Sequence, residues 1–207
     1  MRKQSILVSA LVLLTACISQ ATVIDNPGFE YDGIINDIKT TPPSFWTVNT
    51  NEFYMGGWVT SNWSSEGSYS LVLSSYPYAT FSQGDYISVS QAFDLTGITD
   101  IIFDVRLDTT YNDPFDPDQR QAKVLLNGDT YWASTGTSPD IRGEYFDESI
   151  DVSALSGVYN LELRLESQVD GYTYINYLAY WDNLRAVPEP ATILLLGLGA
   201  VISRKKR

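Results

Sequence analysis

Between Asp100 and Asp108 the side chains fall into two sets by strict alternation. Ile101, Phe103, Val105 and Leu107 share one face, and Ile102, Asp104, Arg106 and Asp108 share the other. From Val158 to Glu166, Tyr159, Leu161, Leu163 and Leu165 likewise oppose Asn160, Glu162, Arg164 and Glu166. A strand turns successive side chains to opposite faces, so period two with one apolar face predicts antiparallel sheet, buried on one side and wet on the other. Further strands are expected at Tyr69–Leu73, Tyr86–Phe93, Ala122–Leu126, Thr130–Ala133, Tyr145–Val152 and Tyr172–Arg185. Asn127-Gly128 and Asp170-Gly171 tolerate the positive φ angles of tight hairpins. Pro42-Pro43 and Asn112 to Asp118 read as loops. About nine strands with no strand–helix alternation make an all-β sandwich over residues 22–186.

Charge and composition narrow the chemistry. Six of the 13 basic residues belong to the two ends, and between Thr22 and Val187 there are 7 basic against 24 acidic side chains, a net of −17. Such a field repels phosphate backbones and anionic lipid, which argues against nucleic acid as a partner. The chain has no histidine, and its single cysteine, Cys17, lies in the N-terminal apolar run. Histidine catalysis, zinc and haem ligation, thiol nucleophiles and disulfides are therefore excluded from the sandwich.

The ends read as addresses. Arg2 and Lys3 precede an apolar stretch from Ser5 to Leu14, and Ser19-Gln20-Ala21 follows, which predicts a secretory signal peptide over residues 1–21. A competing exit is Leu14-Thr15-Ala16-Cys17, which resembles the lipobox of bacterial lipoproteins and would leave a lipid on Cys17. At the other end, Pro188-Glu189-Pro190 precedes an apolar segment, Ala191 to Ser203, and a basic tail, Arg204-Lys205-Lys206-Arg207. Thirteen helical residues reach about 20 Å, short of a hydrocarbon core of about 30 Å. A short apolar sorting helix that meets the membrane only transiently is expected. This order over residues 187–207 resembles the PEP-CTERM sorting domain of Gram-negative bacteria. The resemblance implies processing by an exosortase, with Pro188, Glu189 and Pro190 as the motif, and delivery to the cell surface or exopolysaccharide matrix.

A second resemblance lies in the middle. Asn26-Pro27-Gly28-Phe29-Glu30 resembles the opening of carbohydrate-binding modules with a galactose-binding-like jelly roll. Gly67-Ser68-Tyr69-Ser70-Leu71 resembles their central strand, Ile87 to Phe93 the next, and Trp181-Asp182-Asn183-Leu184 the closing one. The resemblance implies a jelly-roll β-sandwich and, where its two chain ends meet, a structural Ca²⁺ near Glu30 and Asp182. The alternative is that these carboxylates accept backbone amides and fix the termini. Asp108, Asn112, Asp113, Asp116 and Asp118 form another oxygen-rich stretch, which lacks the glycine and terminal glutamate of an EF-hand and reads as a solvated acidic loop.

Neutral sugars dock their C–H faces on exposed aromatics. Trp58, Trp63, Tyr76 and Tyr78 lie in expected loops and are the candidate ligand-binding residues; Trp46, Trp132 and Trp181 read as core. No nucleophile elbow or marked carboxylate pair points to catalysis. The chain thus reads as a secreted, non-catalytic surface or matrix protein that binds or organises exopolysaccharide and requires no cofactor. A structural or adhesive protein without a sugar ligand, or a glycoside hydrolase, are the alternatives.

Overall fold

A computed structural model describes residues 24–109, 116, 118–134 and 143–189. The signal peptide, Cys17, Asn112, Asp113, Pro190, the apolar sorting helix and the basic tail lie outside the described residues.

Twelve strands run in chain order: β1 (Thr47–Thr50), β2 (Met55–Thr60), β3 (Ser70–Ser75), β4 (Ala79–Phe81), β5 (Tyr86–Asp94), β6 (Ile98–Thr109), β7 (Arg120–Leu126), β8 (Asp129–Ala133), β9 (Gly143–Asp151), β10 (Val158–Ser167), β11 (Gly171–Thr173) and β12 (Tyr177–Pro188). They build two five-stranded sheets, ordered β1-β5-β10-β7-β8 and β2-β3-β12-β6-β9, and a two-stranded sheet, β11-β4. Every pairing is antiparallel. Among the described residues there is no helix. The described residues form an all-β sandwich.

The alternating faces meet in the core. Ile101, Phe103, Val105 and Leu107 of β6 pack with Leu161, Leu163 and Leu165 of β10 in one apolar cluster. Each such side chain, fully buried, contributes about 1.5–3 kcal/mol. Trp181 joins the sheets: its ring lies 5.7 Å from Phe103 and 5.9 Å from Trp132 of the opposite sheet. Asn127-Gly128 forms the expected hairpin between β7 and β8, with φ of 50° and 91°.

Three expectations need correcting. Tyr172–Arg185 is not one strand, because the chain leaves β11 at Thr173 and enters β12 at Tyr177. Asp170-Gly171 is not a hairpin between neighbours either: β10 belongs to a large sheet, whereas β11 pairs with β4. The expected count of about nine strands missed β1, β2 and β4. At the end of β12, Ala186, Val187 and Pro188 pair with Ile101, Asp100 and Ile98.

Candidate functional site

Trp58 and Trp63 are placed differently from the expected exposed loops. Trp58 sits in β2, half-buried on the outer face of its sheet. Register sets it in a cross-strand row: Trp58 opposite Val72, Val72 opposite Tyr180, Tyr180 opposite Arg106, and Arg106 opposite Glu144. Trp63 lies in the loop after β2, but that loop folds back onto the sheet. Its ring packs edge-on to Tyr180 at 6.0 Å, and it is buried. Together with Leu178 these residues form a second, smaller apolar cluster outside the sandwich core. Arg106 lies 5.4 Å from the Tyr180 ring centre and pairs with Asp108 at 2.8 Å.

The aromatic surface continues to one end of the sandwich. Gly56 and Trp58 point to the same face, and the Tyr76 ring occupies the space a Cβ at Gly56 would take. The Tyr76 amide donates to Tyr54 O at 2.8 Å, which ties the β1–β2 loop to the β3–β4 turn. Burial, aided by Asp37, pushes the Tyr76 hydroxyl above its ordinary pKa. Tyr78 adopts a φ of 61°, and its amide donates to Thr173 O at 2.7 Å. Left-handed backbone costs a non-glycine residue about 1–2 kcal/mol. Tyr78, Tyr172 and Tyr174 are all exposed; the Tyr174 ring centre lies 6.1 Å from that of Tyr78 and 4.9 Å from that of Tyr172. Phe53, 79% exposed, and Tyr54 stand edge to face at 5.4 Å in the adjoining loop.

The structure therefore brings Trp58, Trp63 and Tyr76 to one sheet face and sends Tyr78 to the neighbouring end. Phe53, Tyr54, Tyr172 and Tyr174 were not singled out from sequence. The signal for the last two was present: Tyr-Thr-Tyr places two aromatics on one face of a strand. The expected strand Tyr172–Arg185 absorbed them, whereas β11 pairs with the three-residue β4 outside the main sheets.

Glu30 and Asp182 are brought together around Gly28, where a Cβ would meet Asp182 Oδ1 at 3.3 Å and Glu30 Cγ at 3.6 Å. Their oxygens receive amide donors. Glu30 Oε1 accepts from Ser68 N (2.8 Å) and Tyr69 N (2.7 Å). Asp182 Oδ2 accepts from Ser65 N (2.7 Å), Glu66 N (3.0 Å) and Ser65 Oγ (3.1 Å), and Oδ1 from Asn183 N (2.8 Å). Calcium needs six to eight oxygen lone pairs turned inward. Here N–H groups face the same carboxylates, so the residues as arranged do not fit the expected Ca²⁺. Burial raises the Asp182 pKa, against the lowering by these hydrogen bonds. Among the described residues no group of three or more acidic side chains is placed to hold a metal ion.

Beside Asp182 the sheet is twice interrupted. β12 bulges between Asp182 and Arg185, β9 bulges opposite Phe103 to Val105, and Asn183 and Asp147 take φ of 51° and 55°. Asp104 holds both bulges, accepting from Asp147 N at 2.7 Å and Asn183 Nδ2 at 3.0 Å. They border a shallow polar hollow of about 320 Å³ with Ser65, Glu66, Phe146 and Arg185. On the other sheet's outer face, Arg164 lies 4.2 Å from the Tyr86 ring centre and bonds Glu162 and Glu166, and Lys123 bonds Glu166. Burial pushes the Glu166 pKa up, but these cationic donors outweigh it and leave the carboxyl below its ordinary value.

Comparison with known proteins places residues 186–207 as a match to the PEP-CTERM protein-sorting motif. No curated protein matches the chain. Among solved structures, the K2 cleaved adhesin domain of Lys-gingipain superposes with a TM-score of 0.51 at 11% identity, covering 78% of this chain and 96% of that one. The K1 cleaved adhesin domain of the same protein, from Porphyromonas gingivalis W83, gives 0.46 at 11% identity over 78% and 96%. TmCBM61, solved in complex with β-1,4-galactotriose, gives 0.42 at 12% identity over 81% and 99%. The K2 likeness establishes the sandwich fold and nothing finer.

Proposed function

We propose that this chain is a non-catalytic surface protein that binds or organises extracellular polysaccharide. The sorting motif marks it as a secreted, cell-surface protein; an exosortase would process it, at the surface or in the exopolysaccharide matrix of a Gram-negative bacterium. The observation that carries the reading is the exposed aromatic end formed by Tyr78, Tyr172 and Tyr174 beside Phe53 and Tyr54. Sugar rings stack their C–H faces on such side chains, and phenolic hydroxyls hold the ring oxygens. The left-handed Tyr78 supports it, because strained backbone gathers where a side chain must be presented. Retention on the host's own exopolysaccharide tests it. A Tyr172→Ala, Tyr174→Ala variant that folds as the parent does is expected to be retained about tenfold more weakly, a loss of about 1.4 kcal/mol; equal retention would refute the site.

The second reading is an adhesive protein whose partner is a protein surface. Phe53 favours it, since a wholly apolar ring so exposed also suits the apolar patch of a protein interface. Retention by a protein partner with no response to any glycan would decide for it. Glu30 and Asp182 enter neither reading as metal ligands.

A further inference from the structure

The disposition of cations bears on which glycans this surface can take. Six of the chain's basic side chains lie among the described residues of the sandwich: four are ion-paired, Arg120 is buried, and Lys39 is held by backbone carbonyls. Lys39 Nζ donates to Phe53 O (3.1 Å) and Met55 O (2.9 Å). Arg120 is buried, donating to Gln119 O and Ser167 Oγ, with the Phe81 ring centre 4.2 Å away. Arg106, Lys123, Arg164 and Arg185 are ion-paired with Asp108, Glu166, the Glu162 and Glu166 pair, and Asp147. Lys39 Nζ also lies 5.4 Å from the Phe53 ring centre and so, among the described residues, is the cation at the aromatic end; Arg106, Lys123, Arg164 and Arg185 would have to leave their carboxylates to serve a uronate, sulfate or phosphate ester as counter-charge.

Against that one ammonium the rim of the end carries two carboxylates. Glu52 Oε1 accepts from Tyr54 N at 2.9 Å, so its carboxylate lies beside the Phe53–Tyr54 pair. Asp170 precedes β11 and accepts from Gln83 N at 2.8 Å. Carboxylates accept hydrogen bonds from sugar hydroxyls but repel acidic groups.

From this juxtaposition we infer that the aromatic end selects glycans without acidic groups and discriminates against uronate-, sulfate- or phosphate-bearing ones. The inference rests on the carbohydrate reading above and narrows its ligand class. The test is affinity electrophoresis of the full chain through matched polymer pairs that differ in charge: hydroxyethylcellulose against carboxymethylcellulose, dextran against dextran sulfate, and galactan against polygalacturonate. The neutral member of any pair that binds is expected to retard the chain about tenfold more strongly at low salt. That gap should shrink in about 0.5 M salt as screening shortens. A Glu52→Gln, Asp170→Asn variant keeps the carbonyl acceptors and should narrow the gap by strengthening the charged member alone. Equal or stronger retardation by the charged member would overturn the inference while leaving the carbohydrate reading intact. Failure of every polymer to retard the chain would overturn both.

Discussion

Tyr78 poses a choice between stability and presentation. Its φ of 61° suits asparagine better than tyrosine. Tyr78→Asn is therefore expected to leave the melting temperature unchanged or slightly raised while weakening glycan retention about fivefold, within the range of one lost aromatic contact. A drop in both would make Tyr78 a packing residue. Gly67 makes the converse point. At a φ of 64° it lies against Glu30, and a Cβ there would collide with Glu30 Oε1. Gly67→Ala should cost more than about 1 kcal/mol by disturbing the loop that Glu30 holds. Thermal denaturation checks it. Glu166 supplies a pH signature. Its folded pKa lies below the ordinary 4.5, so its contribution to stability is present above that value and lost as pH falls through the lowered one. Glu166→Gln should lower the melting temperature at pH 7, with the difference fading as pH falls through the lowered pKa. Asp182, raised above its ordinary 3.8, has the opposite sign: its contribution fades as pH rises through the raised value.

At the scale of elements, what could be read from sequence depended on whether the two faces of a strand meet different surroundings. β6 and β10 were legible because one face meets the core and the other meets water. β2 was not: Gly56 and Gly57 look like a turn, yet each is small because something lies against it. Tyr76 covers Gly56, and Val72 O and Ile38 lie against Gly57. β1 is an edge strand with little burial, and β4 has three residues, too short for a period to show. The Asn-Pro-Gly-Phe-Glu segment was read for its carboxylate, and its structural part lies in Phe29, fully buried 5.4 Å from the Trp46 ring. The aromatic end was half legible. Tyr76 and Tyr78 stand beside Pro77 in an evident turn, whereas Tyr172 and Tyr174 were hidden inside a pattern that resembles a continuous strand. β12 carries a prediction of its own. Pro188 pairs with Ile98, Glu189 N donates to Gly97 O at 2.9 Å, and Thr99 Oγ1 donates to Val187 O at 3.2 Å, so the sandwich holds the start of the sorting motif. An enzyme that grips the motif as an extended strip must lift that strand end. A Val187→Cys, Asp100→Cys staple across the β12–β6 register should slow processing in the host, with reduction restoring it. Unchanged processing would put recognition wholly beyond Glu189.

For the molecule as a whole, the acidic field and the sandwich divide the work. The −17 charge over residues 22–187 sets up a field that opposes the approach of polyanions, while stacking on uncharged rings is short-ranged and largely indifferent to it. The central claim is that glycan is held at the end bearing Tyr78, Tyr172 and Tyr174. The direct measurement is a glycan array probed with the full chain and with its Tyr78→Asn, Tyr174→Ala variant. Selective binding to uncharged glycans, lost in the variant, is the predicted result. A blank array, or binding that the variant retains in full, would contradict it.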